Sequence, residues 1–488
     1  MAYGYIRTET KDSANPDRKL LDKVIEIIGD CFDFNDDDVQ IQIIKAFLTA
    51  VSSPICQIHE RALLNAIRAC FNIFLASRSS VIQMTAKATL SQMLSILFQR
   101  FEVILLFQLR IALFLIFLIQ HLSQKVKEGQ QSTSENGETK NEAAESEDSP
   151  VPHAEASEPS TTEGINEKKI ENGKEKQAEY HFRGSDDVEP KLAEELSAAY
   201  VDCFLSFRAL CKLSMKELSP NSPIDSVDMR RKLLALELIQ NILENASPML
   251  RENEQFVSTA IKKYLFISLL VNGVSPFIKI FRVSLNVFNS LIVGFKDHLK
   301  NEIGVFFAKI LLRILGSSHS SAQHKQCVLL LLQSVCRQAQ TLVDMFLNYD
   351  CNIESVDIFE RMVNELSSIA KGLRVNPATG MPNTHASTIR SLALDCLVTI
   401  MRSLVQWSSE LIEEEKKEEP GASIEEKLDL NDAPNNSPNL DSFTEQKKRK
   451  HELLQGKRLF NSKPKRGIAY LIEVGHLQET PEDVAAFL

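Results

Sequence analysis

Apolar residues recur at three- and four-residue steps almost from the start of the chain. Between Lys19 and Phe32 the set Leu20, Leu21, Val24, Ile25, Ile28 and Cys31 draws one stripe along a helix. Asp36 to Asp38 follow, short acidic residues suited to capping a helix N-terminus. The next stripe is Ile41, Ile44, Phe47, Leu48 and Val51. Further helices are predicted from His59 to Ala76 and from Ser80 to Phe101, the latter facing Ile82, Ala86, Leu90, Met93, Leu94 and Leu97 inward. Short polar breaks between them suit antiparallel helix hairpins.

The pattern stops near Ser123. From there to Glu189 Gln, Ser, Glu, Asn, Thr and Lys dominate, and apolar side chains are too sparse to offset the entropy of ordering. Periodicity returns over Leu192–Met215, Val227–Ala246, Phe256–Val271, Pro276–Leu299, Glu302–Leu315, Ser321–Leu347, Ile353–Lys371 and Thr388–Ile412. The expected architecture is all-α: stacked helical hairpins in a HEAT- or armadillo-like α-solenoid, interrupted by disordered acidic linkers. An irregular helical bundle is the competing arrangement. The expected divisions are a helical domain over 1–122, a linker over 123–189, a second helical domain over 190–415, a linker over 416–445 and a last segment over 446–488.

Composition narrows the chemistry. Glycine and proline number only 17 each in 488 residues, few for a fold rich in turns. A net charge of −10 argues against nucleic acid as a partner. The nine cysteines are scattered and never spaced Cys-x-x-Cys, so they are expected as reduced core thiols of a cytosolic protein. No spacing of His, Ser, Gly or Lys matches a hydrolase, nucleotide-binding or zinc-protease motif, so no catalytic residue, cofactor or metal is assigned. His319 and His324, in a Ser-rich turn, make a poor metal pair.

Two stretches stand out. Val103 to Ile119 is apolar apart from Gln108 and Arg110, marginal in length for a bilayer crossing. Its expected place is inside the first domain as a helix apolar all round, or outside the mature transcript; a membrane span and a membrane-interface contact are the alternatives. Lys447-Lys448-Arg449-Lys450 is expected as the solvated start of an exposed helix, with nuclear import or anionic-lipid contact as alternatives.

Three longer stretches carry a family resemblance. Ile41-Gln-Ile-Ile-Lys-Ala-Phe-Leu-Thr-Ala-Val51 and Thr85-Ala-Lys-Ala-Thr-Leu-Ser-Gln-Met-Leu94, within Lys19 to Phe101, resemble the dimerisation and cyclophilin-binding (DCB) domain of the large brefeldin-inhibited, BIG-type Arf exchange factors. Phe204 to Trp407 resembles the homology-upstream (HUS) domain, most specifically in the string Asn348-Tyr-Asp-Cys-Asn-Ile-Glu-Ser-Val-Asp-Ile-Phe-Glu-Arg-Met-Val-Asn364. Leu459 to Leu471 and Thr480 to Leu488 look like the opening of a Sec-seven-type exchange domain.

The resemblance implies a peripheral trans-Golgi regulator in vesicle transport, cytoplasmic otherwise. Its partners would be Arf-family small GTPases and a second copy, through DCB and HUS. It implies further DCB helices ahead of Met1, and a catalytic glutamate beyond Leu488, so no exchange activity is expected of this chain alone. Asn348, Tyr349, Asp350, Cys351 and Asn352 form the HUS box, which the resemblance makes a polar lock joining HUS to DCB; Asn352 stands where the family usually has aspartate. Physical chemistry offers Asn348 and Asp350 a plainer task, capping the helix expected from Ile353. Thr480 likewise announces a helix, with Pro481 at its first position and Glu482 and Asp483 in its first turn. A generic HEAT-type adaptor in membrane traffic would fit the same helices.

Overall fold

The computed structural model describes residues 11–12, 15–31, 36–56, 58–131, 198–219, 223, 225–372, 383–418 and 440–487. It divides into two compact units, Met1–Glu102 with Asp187–Leu488, and Val103–Asp186. The linkers expected over 123–189 and 416–445 fall largely outside the described residues, from 132 to 197 and from 419 to 439.

A short antiparallel pair, β1 (Lys11–Asp12) and β2 (Asn15–Lys19), opens the chain, with Lys11 opposite Lys19. The polar opening gave no sign of it. Four helices follow: α1 (Leu20–Asp30), α2 (Asp37–Ser52), α3 (Glu60–Ala76) and α4 (Ser80–Gln131). Asp36 caps α2, its Oδ1 accepting the N–H groups of Asp38 at 2.9 Å and Val39 at 3.2 Å. The stripe expected on α4 is the buried one: Ile82, Ala86, Leu90, Met93, Leu94 and Leu97 are each at most 2% exposed.

The second helical block begins with α5 (Ala198–Ser214) and α6 (Val227–Glu244), then two short turns, α7 (Pro248–Arg251) and α8 (Glu254–Phe256). A π-helical stretch, Val257–Leu265, runs into α9 (Phe266–Asn272). Next come α10 (Ile278–Phe295), α11 (Lys300–Phe306), a π turn at Phe307–Leu311, and α12 (Leu312–Gly316). α13 (Ala322–Cys336), α14 (Ala339–Met345), a third π turn at Phe346–Asp350, α15 (Ile358–Ala370) and α16 (Asn383–Glu418) complete the block. α6 packs along α5 and α10, α13 along α10 and α16, and α15 on α16. Each long helix thus lies between its neighbours, as in a solenoid. α10 is long and apolar enough to cross a membrane, yet Ile280, Phe281, Val287 and Phe288 on it are fully buried core. The chain closes with α17 (Leu440–Ser462), α18 (Pro464–Glu473) and α19 (Pro481–Phe487).

Periodicity ran past two real breaks. The single helix expected over Ser321–Leu347 is interrupted after Cys336, where Gln338 turns extended. The apolar residues on either side face one core, so spacing alone does not reveal the break. Similarly, the helix expected from Ile353 starts at Ile358, after a turn. A larger correction concerns Val103 to Ile119. It is helical, as part of α4, but most of its described large apolar side chains are exposed, Phe107 at 64% and Phe114 at 62%, with Ile104 and Leu105 half-buried. The run is not the buried element expected, because helix hydrophobicity says nothing about whether a partner surface is supplied.

Candidate functional site

The HUS box, Asn348–Asn352, begins within the π turn after α14 and runs past its end, with the Cys351 N–H reaching back to the Phe346 carbonyl at 3.0 Å. π turns concentrate at functional positions because they offset a helix by one residue. Tyr349 is turned inward, and its hydroxyl donates to the backbone carbonyl of Lys300 at 2.6 Å. Gly304 makes this possible, since a Cβ there would sit 2.8 Å from the tyrosine ring. Burial first, then the nearby Glu302, pushes the phenol well above its ordinary range.

Asp350 is fully buried. Its two oxygens accept the N–H groups of Phe359 at 3.0 Å and Glu360 at 2.9 Å, so it caps α15 from seven residues before the formal N-cap, Asp357. Burial raises the Asp350 carboxyl above its usual range, Asp357 adds to this, and the two backbone bonds and Lys447 oppose it. Asp357 makes no capping bond of its own. Its carboxylate instead pairs with the Lys450 ammonium at 2.5 Å.

Lys450 is the residue that sequence reasoning missed. It comes from α17, is only 2% exposed, and also donates to the carbonyls of Tyr349 at 2.5 Å and Asp350 at 3.3 Å. Two backbone carbonyls and one paired carboxylate thus surround the buried ammonium, the compensation that burying a charge requires. One turn earlier, Lys447 pairs with Glu360 at 3.1 Å and lies 5.3 Å from the Phe346 ring centroid. The basic run is therefore not a uniformly solvated helix start. A surface reading follows from composition, whereas burial depends on acceptors a hundred residues away.

The other box residues have lesser contacts. Asn352 Oδ1 accepts the Glu354 N–H at 2.9 Å, a local turn bond. Cys351 is buried, its thiol raised by burial and by Asp350. Asn348 is exposed, at the edge of a cavity of about 190 Å³ that Lys296, Lys300, Asp344, Met345 and Tyr349 also line. Of the apolar face expected after the box, Ile358, Met362 and Leu366 are core, and Phe359 and Val363 are half-buried. His324 is engaged with Ser321 Oγ at 2.7 Å and the Ser275 carbonyl at 3.0 Å.

The joint between the first and second helical blocks lies elsewhere. Asp202 on α5 accepts the Glu60 N–H at 2.6 Å and pairs with His59 Nδ1 at 2.7 Å, serving as a cap for α3 donated from the other block. Glu60 has a φ of 45°, a left-handed conformation whose cost this bond offsets. Around it, Phe98 sits 6.4 Å from Phe207 and 5.8 Å from Phe256, and Phe101 sits 5.4 Å from Tyr200, ring centroid to centroid. The contacts given above for Tyr349, Asp350 and Asn352 reach α11, α15, α17 and the box turn itself.

Comparison with known proteins places these joints on a domain map. The Mon2/Sec7/BIG1-like dimerisation and cyclophilin-binding domain model matches residues 4–103, the Mon2/Sec7/BIG1-like HUS domain model 199–358, and the Sec7 domain model 449–488. The brefeldin A-inhibited guanine nucleotide-exchange protein 1 of Homo sapiens is 32% identical over 634 residues, covering 100% of this chain and 34% of that protein. Brefeldin A-inhibited guanine nucleotide-exchange protein 2 of Arabidopsis thaliana is 33% identical, covering 100% of this chain and 30% of its own length. The chain spans about a third of the length of these curated relatives. Lys450 thus belongs to the Sec7 match, and the turn it enters belongs to the HUS match. The chain belongs to the brefeldin A-inhibited exchange-protein family and carries its DCB, HUS and opening Sec7 segments in order.

Proposed function

We propose that this chain is the regulatory arm of an Arf guanine-nucleotide exchange factor at the trans-Golgi, and that its HUS box holds the helix leading into the exchange domain. The observation that carries this reading is Lys450, a buried cation from the Sec7 match seated on the carbonyls of Tyr349 and Asp350. In this reading α17 is a lever. Its seat on the box fixes the direction in which an exchange domain leaves the helical platform. DCB and HUS contact a second copy and membrane-bound Arf-family GTPases, and the protein is otherwise cytoplasmic and only peripherally on the membrane. Nothing in this arm is given a chemical step: the chain by itself opens no nucleotide site and uses no cofactor.

The test is a release assay. Arf loaded with a fluorescent GDP analogue is mixed with the purified chain, and release is expected at the spontaneous rate. Accelerated release would refute the division of labour proposed.

A further inference from the structure

α4 continues as helix beyond Glu102, into the second compact unit, and there it carries its apolar residues outward. Eight apolar residues between Val103 and Phe117, Leu109 and Ile116 among them, are each between 43% and 64% exposed. At about 100° per residue, these eight fall within roughly 180° of arc, and Arg110, also exposed, lies inside it. So large a contiguous apolar face on one helix calls for a partner surface.

Charge decides between the candidates for that surface. Between Glu102 and Glu128 there is no acidic residue, while Arg110, Lys125 and Lys127 are basic. A second copy packed through the same arc would bring two Arg110 guanidinium groups into an apolar contact with no carboxylate from either run to meet them, the arrangement that burial of charge most penalises. A bilayer surface has no such conflict. Acyl chains take the phenylalanines, and an arginine in their midst extends its guanidinium to the phosphates above. Length agrees. The exposed face, Val103 to Phe117, spans roughly 22 Å of helix against about 30 Å of hydrocarbon core, so it suits insertion into one leaflet better than a crossing.

We propose that this face of α4 is a lipid-binding element that inserts Phe107, Phe114 and Phe117 into an anionic leaflet, with Arg110 on the phosphates. The proposal gives residues to the peripheral-membrane reading above and rests on it only for which membrane is met.

The experiment is flotation of the full chain with phosphatidylcholine vesicles that contain or lack phosphatidylserine. The chain is expected to float with the anionic vesicles. The double substitution Phe107→Glu, Phe114→Glu should reduce bound protein by more than about tenfold. Arg110→Glu should weaken binding to anionic vesicles, and Arg110→Lys should retain it. All these positions are exposed, and unchanged far-UV circular dichroism confirms that the variants fold. Equal flotation of wild type and double variant overturns the proposal, as does no flotation at all. A concentration-dependent dimer that the double substitution dissolves would assign the face to a second copy instead. Vesicles bearing lipidated, GTP-loaded Arf separate the two readings: if the chain binds these alone, and the variants bind equally well, the α4 proposal falls while peripheral recruitment stands.

Discussion

Where α3 and α4 meet α5 the contact is made of rings, and where α17 meets the HUS-box turn it is made of charges. The first joint buries Phe98, Phe101, Phe207, Phe256 and Tyr200, with Asp202 on His59 and Glu60 inside it and the Lys87–Glu237 pair and the Glu102–Ser247 bond beside it. The second buries Lys450 and Asp350 and places Asp357, Glu360 and Lys447 around them. Both use a buried aspartate as a helix cap, Asp202 from 142 residues away and Asp350 from the turn just ahead of its helix. Their energetics differ. Each buried ring contributes about 1.5–3 kcal/mol through apolar area removed from water, so the ring part of the first joint responds little to salt. A buried ion pair gains little net stability over an apolar equivalent, but loses heavily if one partner moves away. The ring joint is therefore a fixed weld, and the charged joint is the one that can open as a unit.

The largest expected effect is at the weld. Phe207 is fully buried and edge-on to Phe98 and Phe256, the latter at 5.3 Å. Phe207→Ala should cost about 3–5 kcal/mol in urea unfolding, with little dependence on NaCl. A loss under about 1 kcal/mol would mean that the rings are in contact without bearing the joint.

Lys450→Met comes next. It strands Asp357 and leaves two buried carbonyls without a donor, at a cost of about 2–3 kcal/mol. This is below the about 3–5 of a wholly enclosed pair, since Asp357 is 28% exposed. The loss should be local, with faster amide exchange over Leu440–Ser462 and no change over α3 to α5. Adding Asp357→Asn should recover part of it. Equal acceleration across both joints would contradict their independence.

Asp350 gives a smaller effect with a definite sign. Its folded carboxyl is raised above 3.8, so the folded state holds its proton more tightly than the unfolded one. This contribution is complete below the unfolded value and fades as pH rises through the folded value. The stability of the wild type relative to Asp350→Asn should therefore fall as pH climbs from 3.8. Urea titrations at a series of pH values measure it, and an opposite slope would show that the capping bonds outweigh burial.

How much of this was visible in the sequence follows the range of the interactions. Asp36 and Thr480 cap helices as their local chemistry announced, the Asp483 N–H meeting Thr480 Oγ1 at 3.4 Å. The buried stripe of α4 and the core positions Ile358, Met362 and Leu366 followed from periodicity. Asp350 was a foreseeable cap, although the helix it serves begins five residues later than spacing suggested. Lys450 and Asp202 were not foreseeable. Their neighbours in sequence describe an ordinary basic run and an ordinary helix, and their partners are 100 and 142 residues away.

Two cysteines allow the joints to be timed against each other. Cys203 lies in the weld, its Sγ 3.5 Å from the Leu97 carbonyl, and Cys351 lies in the charged turn. Both are buried, and burial raises both thiols, so alkylation at neutral pH reports opening rather than native reactivity. Cys31 and Cys56 are half-buried and provide the fast reference. Mass spectrometry of partially alkylated protein should find Cys351 modified well before Cys203. Lys450→Met should accelerate Cys351 about tenfold for each 1.4 kcal/mol lost while leaving Cys203 unchanged. If Cys203 accelerates in step, the two joints open together, and α17 cannot be repositioned without unfolding the platform beneath it.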